Sequence, residues 1–313
     1  MSLLLAIEGW DLQEWRDRFR RVAPDLAAVV QTEDYDPGRI RYACAWNAPQ
    51  GLLGRLENLE ILFSLGAGVD HLLRQANLPD VPIVRVVDPS LTERMAEWVV
   101  LQVLLHHRRQ LDYLQQQRAR LWREHSHPMA RDVSVGIMGL GELGTRAAQA
   151  LQGIGYDVAG WSRSPKSLQG VECHHGEGGL GAFLARTDIL VSLLPLTPDT
   201  EGLVDLELLK GLRRDNRLGG AYFVNAGRGR VQVEADIMQA LRDGTIAGAS
   251  LDVFETEPLP GDSPLWSDPR LVITPHVAAE SDPEDIAAYV VRQIRRHQAG
   301  EPLQNLVDLE RGY

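Results

Sequence analysis

Three short segments in the last third of the chain carry residues fit for chemistry: Asn225-Ala226-Gly227-Arg228-Gly229, then Leu251-Asp252-Val253-Phe254 running on to Glu257-Pro258, then Thr274-Pro275-His276. Each sets an ionisable side chain where an apolar, strand-like run gives way to a loop. Arg228 offers a forked cation that can grip a carboxylate and polarise a neighbouring carbonyl. His276 offers an imidazole, the group best matched to general acid–base catalysis near neutral pH. Glu257 offers a carboxylate for the far ring nitrogen, favouring the protonated ring and fixing its orientation. Glu255 competes for that task, but Pro258-Leu259-Pro260 stiffens the backbone beside Glu257 and favours it. A cation, a carboxylate and an imidazole are the parts needed to bind a 2-oxo acid and pass it a proton. Other histidines fit less well: His106 and His107 fall on a predicted helix, His125 and His127 in a polar connection, His174 and His175 in a glycine-rich loop.

The electrons need a source, and Gly139-Leu140-Gly141-Glu142-Leu143-Gly144 suggests one. It fits G-x-G-x-x-G, between a strand ending at Met138 and an alanine-rich helix. In that setting the glycines allow a tight turn, backbone approach to a pyrophosphate and close helix–strand packing. An NAD site ordinarily carries an acid at the end of the next strand. Here that strand ends in Trp161-Ser162-Arg163-Ser164-Pro165-Lys166, and Asp157 sits at its start, the wrong place. Arg163 and Lys166 with the hydroxyls of Ser162 and Ser164 suit a 2′-phosphate. The expectation is NADP(H) in preference to NAD(H). Asp252, ending its own strand, is expected near the nicotinamide or its ribose. Earlier in the chain, the small-residue turn Ser64-Leu65-Gly66-Ala67-Gly68-Val69-Asp70 can cup a substrate carboxylate with backbone N–H groups, and Trp46 can wall the pocket.

The elements that must position these residues alternate between strand and helix, which predicts parallel sheets covered on both faces. Strands are expected at Leu3–Ile7, Tyr42–Trp46, Ile61–Leu65 and Ile83–Val87, with helices at Asp11–Val22 and around Leu52–Leu56. Leu91 to about Arg120 reads as one long helix bridging two domains, its polar end projecting toward a second subunit, with Trp122 as an interface anchor. A second series places strands at Val133–Met138, Asp157–Trp161, Ile189–Leu194, Ala221–Asn225, Ala249–Val253 and Leu271–Thr274. Its helices fall at Thr145–Gly153, near Leu206–Leu212 and at Val233–Asp243, the last stopped by Gly244. The final helix opens at Ser281-Asp282-Pro283-Glu284 as a capping box and is expected to return to the first domain.

Bulk properties bound the answer. The chain of 313 residues is long enough for two cores. A net charge of −11 argues against nucleic acid as a partner. Met1–Glu8 lacks a basic start and its apolar run ends at Glu8, so a first strand is expected rather than a signal peptide, and no run reaches membrane-spanning length. Cys44 and Cys173 show neither C-x-x-C nor metal-ligand spacing; no metal is expected, and a reducing cytoplasm is.

Taken in order, Ser64–Asp70, Gly139–Gly144, Leu194-Pro195-Leu196-Thr197-Pro198, Asn225–Gly229, Leu251–Pro258 and Thr274–Ala279 make the chain resemble the D-isomer-specific 2-hydroxyacid dehydrogenases over nearly its full length. Trp161–Lys166, Glu257–Pro260, Ser263–Trp266 and Arg311-Gly312-Tyr313 are most similar to the NADPH-dependent glyoxylate/hydroxypyruvate reductases of the A type. The resemblance implies two Rossmann-like, doubly wound parallel-sheet domains with the active site in the cleft between them. It implies a discontinuous substrate-binding domain of 1–98 with 281–313, an NADP-binding domain of 99–280, and a homodimer formed through the latter and the helix 91–120. It implies Arg228, Glu257 and His276 as the catalytic set, and Trp46 with Leu65, Gly66, Ala67 and Gly68 beside Arg228 and His276 as substrate contacts. Cofactor contacts are implied at Gly139 to Gly144, Trp161 to Ser164, Lys166, Leu194, Pro195, Leu196, Asn225, Ala226, Gly227, Asp252 and His276. The implied reaction is reduction of glyoxylate to glycolate and hydroxypyruvate to D-glycerate. The alternatives are a bulkier 2-oxo acid such as phenylpyruvate, or a dinucleotide-sensing protein without activity. Arg230 beside Arg228, and the surroundings of Trp46, bear on substrate choice.

Overall fold

The computed structural model describes residues 2–66 and 68–309. Ala67 and the closing Arg311-Gly312-Tyr313 therefore lie outside the described residues. The described residues fall into two compact units, Met1–Leu91 with Ser281–Tyr313, and Thr92–Glu280.

In the first unit β1 (Ser2–Ile7), β2 (Ala27–Val30), β3 (Ile40–Trp46), β4 (Ile61–Ser64) and β5 (Ile83–Arg85) form a parallel sheet in the order β2-β1-β3-β4-β5. Its central strands are buried on both faces, as their unbroken apolar runs require. One face is covered by α1 (Leu12–Val22), which Asp11 caps by accepting from the N–H groups of Gln13 and Glu14. Trp15 and Phe19 of α1 pack there with Ile286, Val290 and Ile294 of the closing helix, Pro283–Gln298. That helix does return to the first sheet. Its cap is Asp282, one residue later than expected, because Pro283 occupies the first helical position and the Asp282 carboxylate accepts from Glu284 N–H at 2.9 Å. The segment near Leu52–Leu56 makes only a 3₁₀ turn, Leu53–Arg55, and β2 had no clear signal in its four residues. A short helix, α2 (Asp70–Leu73), follows β4.

The second unit begins within α3 (Pro89–His107), which is followed by α4 (Gln110–Arg118). The single helix expected over 91–120 is thus two. The break is at Arg109, whose φ of +51° is a left-handed conformation rare for a long side chain. Neighbouring groups fix it there. Its guanidinium donates to Leu218 O at 2.7 Å, and the buried rings of His106 and His107 before it bond Ser250 Oγ and Tyr156 Oη.

The sheet of this unit consists of β6 (Ser134–Met138), β7 (Asp157–Ser162), β8 (Glu172–His175), β9 (Ile189–Ser192), β10 (Tyr222–Asn225), β11 (Gly248–Leu251) and β12 (Leu271–Ile273). All pair in parallel, in the order β12-β11-β10-β9-β6-β7-β8. The order reverses between β6 and β9, the point where a doubly wound sheet takes its ligand. Helices α5 (Glu142–Ile154), α6 (Gly176–Arg186), α7 (Leu206–Lys210) and α8 (Glu234–Asp243) cover it, and Gly244 ends α8 in the left-handed conformation. His174 and His175 are not in a loop. They end the edge strand β8, whose pairing comes from the backbone of β7 and needs no apolar pattern. The glycine-rich stretch after them is α6, anchored by buried Phe183 and Leu184. Among the described residues no helix is long and apolar enough to cross a membrane.

Candidate active site

Three adjacent strands of the second sheet deliver the ionisable residues at their carboxyl ends. After β10 the chain turns through Arg228 into a 3₁₀ turn, Gly229–Val231. Asn225, fully buried, holds that turn: its Oδ1 accepts from Gly227 N–H at 3.0 Å, and its Nδ2 donates to Arg228 O at 3.2 Å and Gln232 Oε1 at 2.8 Å. Gln232 in turn donates to Val253 O at 3.0 Å, tying the arginine turn to the strand end beyond β11. Close packing seals the junction, since a side chain on Gly229 would fall 1.9 Å from the backbone of Phe254. The Arg228 side chain is half-buried and donates to Gly227 O at 2.8 Å.

After β11, Asp252 is 1% exposed and organises the loop beyond β12. Its carboxylate accepts from Thr274 Oγ1 at 2.5 Å and from the N–H groups of Val277 and Ala278 at 2.9 and 3.0 Å, while its carbonyl accepts from His276 N–H at 2.8 Å. His276 is thereby held at φ +56°, in a sparsely populated conformation that loop bonds on both sides impose. Its Nδ1 lies 2.7 Å from Glu257 Oε2. The other Glu257 oxygen accepts from Phe254 N–H at 2.9 Å. Burial alone would raise the Glu257 carboxyl. The hydrogen bonds from His276 and Phe254, with the positive fields of His276 and Arg228, outweigh it and hold the group below its usual range. Arg228, Glu257 and His276 are thus brought together. Glu255 turns elsewhere: it accepts from Glu234 N–H at 2.7 Å at the start of α8.

The glycine loop follows β6 at the reversal point. Gly139 has φ +102°, and a side chain on Gly144 would fall 1.9 Å from Gly139 O. A side chain on Gly141 would meet nothing within 4 Å, which leaves open space at the N-terminus of the 13-residue α5. That opening, with unsatisfied helix N–H groups around it, fits the pyrophosphate of a dinucleotide. Glu142 is exposed and Leu143 half-buried, while Leu140 is buried against Gly160. Trp161 is also a core residue, 9% exposed, its indole N–H donating to Gly176 O at 2.9 Å. Ser162 donates to Ser164 O at 2.8 Å; Arg163, about half exposed, lies 3.9 Å from Asp199; Lys166 is exposed. The Leu194-Pro195-Leu196 loop is braced by Thr200, which donates to Pro195 O at 2.6 Å.

In the first unit Trp46 ends β3 and is partly buried. Leu65 is buried, and its N–H is already bonded to Ala45 O at 3.1 Å. Of the expected carboxylate cradle, Gly66 and Gly68 thus keep that possibility, and Ala67 is outside the described residues. Ser64 and His71 support the turn: Ser64 Oγ donates to Gly68 O at 2.9 Å and lies 3.0 Å from His71 Nε2. The sequence reading missed Gln232 and His71, and named Thr274 only as part of the motif before His276, without its bond to Asp252. All three act through bonds to residues elsewhere in the chain, which no local pattern foretells.

A twice-wound sheet with a glycine loop at its reversal point, and a paired histidine and glutamate beside an arginine, defines a nucleotide-dependent oxidoreductase. Residues 100–278 match the family model described as the D-isomer specific 2-hydroxyacid dehydrogenase NAD-binding domain. The chain belongs to the D-isomer-specific 2-hydroxyacid dehydrogenase family. It is 41% identical to glyoxylate/hydroxypyruvate reductase A of Escherichia fergusonii, over 100% of both chains. The structure of the NADPH-dependent glyoxylate/hydroxypyruvate reductase of Sinorhizobium meliloti, in complex with NADP and sulfate, is similar with 44% identity and a TM-score of 0.95, covering 100% of this chain and 99% of that one. A probable 2-hydroxyacid dehydrogenase of Rhizobium etli, in complex with NADP, HEPES and L(+)-tartaric acid, is 46% identical with a TM-score of 0.95 over the same shares.

Proposed function

We propose that this enzyme reduces small 2-oxo acids with NADPH in the cytoplasm, taking glyoxylate to glycolate and hydroxypyruvate to D-glycerate. The observation that carries the reading is the His276–Glu257 pair, 2.7 Å apart and within the field of Arg228. When bound, the nicotinamide supplies the hydride. Glu257 holds Nδ1 of His276, so Nε2 is the atom that gives its proton to the substrate oxygen. Glu257 stays ionised throughout and stabilises the charged ring before transfer. Arg228 takes the substrate carboxylate and draws electron density from the neighbouring carbonyl. In the first unit, Gly66 and Gly68 offer backbone N–H groups suited to a carboxylate, and Trp46 walls the space beside them. Gly139 to Gly144 cradle the pyrophosphate. Arg163, with Ser162, Ser164 and Lys166, takes the 2′-phosphate. The NADP complexes of the Sinorhizobium meliloti and Rhizobium etli relatives support that assignment.

The test is cofactor oxidation followed with glyoxylate, hydroxypyruvate, pyruvate and phenylpyruvate, with NADPH and with NADH, in wild type and Arg163→Ala. Glyoxylate and hydroxypyruvate should show the highest kcat/KM, and Arg163→Ala should reduce the NADPH-over-NADH ratio by about tenfold or more, as loss of a charge-assisted bond implies. A highest value for phenylpyruvate would overturn the small substrate. Tight NADPH binding with no turnover of any acid would overturn the activity.

A further inference from the structure

The sheet order β2-β1-β3-β4-β5 has its own reversal point, between β1 and β3. Open α/β sheets take ligands in the crevice beyond the carboxyl ends of the strands at such a point. Here two indoles fill it. The bend after β1 ends in Trp10, β3 ends in Trp46, and the two rings stack with centroids 5.0 Å apart and planes 9° from parallel. Trp10 is backed in turn by the buried Trp15 of α1, at 5.4 Å and 17°. The guanidinium of Arg18 lies 5.4 Å from the Trp15 ring.

The far side of Trp46 is equally occupied. A side chain on Gly66 would fall 2.3 Å from Trp46 Cζ3, so the indole lies directly on the substrate turn. His71 packs against the same ring at 4.9 Å, and its Nδ1 accepts from Asn47 N–H at 3.4 Å. Trp46 is therefore held from several directions, and on the open side Trp10 holds it. Trp10 itself is 39% exposed, an unusual position for a side chain placed only to fill a core.

We propose that Trp10 is a specificity-determining residue: by stacking on Trp46 it closes the β1–β3 crevice and restricts the enzyme to 2-oxo acids with small side chains. The proposal deepens the proposed function and rests on it, since Trp46 is there taken as a wall of the substrate pocket. An acid with a small substituent leaves the stack in place. One carrying an aromatic ring needs the volume that Trp10 denies it, because Trp46 cannot swing outward while its face is covered. Trp10 need not touch a small substrate to have this effect; it acts through the ring it pins.

The experiment compares full-length wild type, Trp10→Ala, Trp10→Phe and Trp46→Ala with NADPH, measuring kcat/KM for glyoxylate and phenylpyruvate alongside thermal melting. Trp10→Ala should raise the phenylpyruvate-to-glyoxylate ratio by about tenfold or more, chiefly through a lower KM for phenylpyruvate. Trp10→Phe, which keeps a stacking face, should restore most of the wild-type ratio. A Trp10 that only stabilises the fold would lower the melting temperature and leave the ratio unchanged, and that result overturns the proposal. If the ratio moves in Trp46→Ala but not in Trp10→Ala, the role of Trp10 alone fails. If it moves in neither, Trp46 is no wall and the broader reading of the pocket fails with it. Should Trp10→Ala not fold, Trp10→Leu removes the aromatic face while keeping apolar bulk, and carries the same expectation.

Discussion

The two sheets end in different kinds of residue. Beyond the carboxyl ends of β10, β11 and β12 stand an arginine, a glutamate and a histidine, fixed by buried polar groups. Beyond β1, β3 and β4 stand two indoles and a glycine turn, fixed by stacking and close packing. The support suits the task proposed for each. A proton donor must be aimed to within a fraction of an ångström, which directional bonds accomplish. A pocket wall must exclude volume, which rigid flat rings do at little conformational cost. Substitutions on the second sheet should therefore change rate, and those on the first should change which acid is accepted.

The largest effect should come from the proton and carboxylate groups. His276→Ala and Arg228→Ala should each lower kcat for glyoxylate by about 10³-fold while leaving NADPH affinity, measured by fluorescence titration, nearly unchanged. A His276→Ala enzyme that kept most of its kcat would remove the proton-donor assignment and with it the contrast between the sheets.

Next is an effect of pH on stability, also rooted under the second sheet. Burial pushes His106 down to about 4, while its ring bonds Ser250 on β11. Below its ordinary value of 6.5 the unfolded chain takes up a proton that the folded ring refuses until about pH 4. Stability should therefore fall as pH drops through that window, by roughly 3 kcal/mol in all. Urea denaturation of wild type and His106→Gln between pH 7 and pH 4 should show a shallower loss in the variant. Parallel curves would exclude His106 as the source.

The smallest effect is expected at Gln232, which touches none of the three ionisable side chains. Gln232→Leu removes one of the two acceptors of the buried Asn225 Nδ2 and the side-chain donor to Val253 O, and should cost about 1–3 kcal/mol of stability. It should also lower kcat through the loosened Arg228 turn, without altering the ratio of glyoxylate to phenylpyruvate. A change in that ratio would blur the division of labour between the two sheets.

How much of this was legible in the sequence depends on the range of the forces involved. The glycine loop, and the ionisable residues after β10, β11 and β12, stand next to apolar runs that specify their own strands, so local pattern locates them. The closing helix could be assigned to the first sheet because the second series of strands was already complete before it. Arg109 could not be read as a break, because its conformation is set by Leu218, far along the chain. Strand β8 was invisible for a similar reason: at the edge it borrows its order from β7. Gln232 and Thr274 look like ordinary polar residues until folding brings Val253 and Asp252 to them. The Trp10–Trp46 stack joins residues 36 positions apart through the pairing of β1 with β3, and no spacing rule anticipates it.

The packing of Pro283–Gln298 against α1 and β1 has a consequence for biosynthesis. As the chain is made from its N-terminus, β1 to β5 emerge early, yet part of the cover for their apolar face is encoded after the whole of 92–280. The nucleotide-binding unit is contiguous and has all its own residues in hand before the closing helix exists. The unit that begins first is thus completed last, and until then Ile286, Val290 and Ile294 are missing from its core. Any process that cuts the chain short of residue 283 leaves that apolar face open to water, to aggregation and to the cell's surveillance for unfinished proteins.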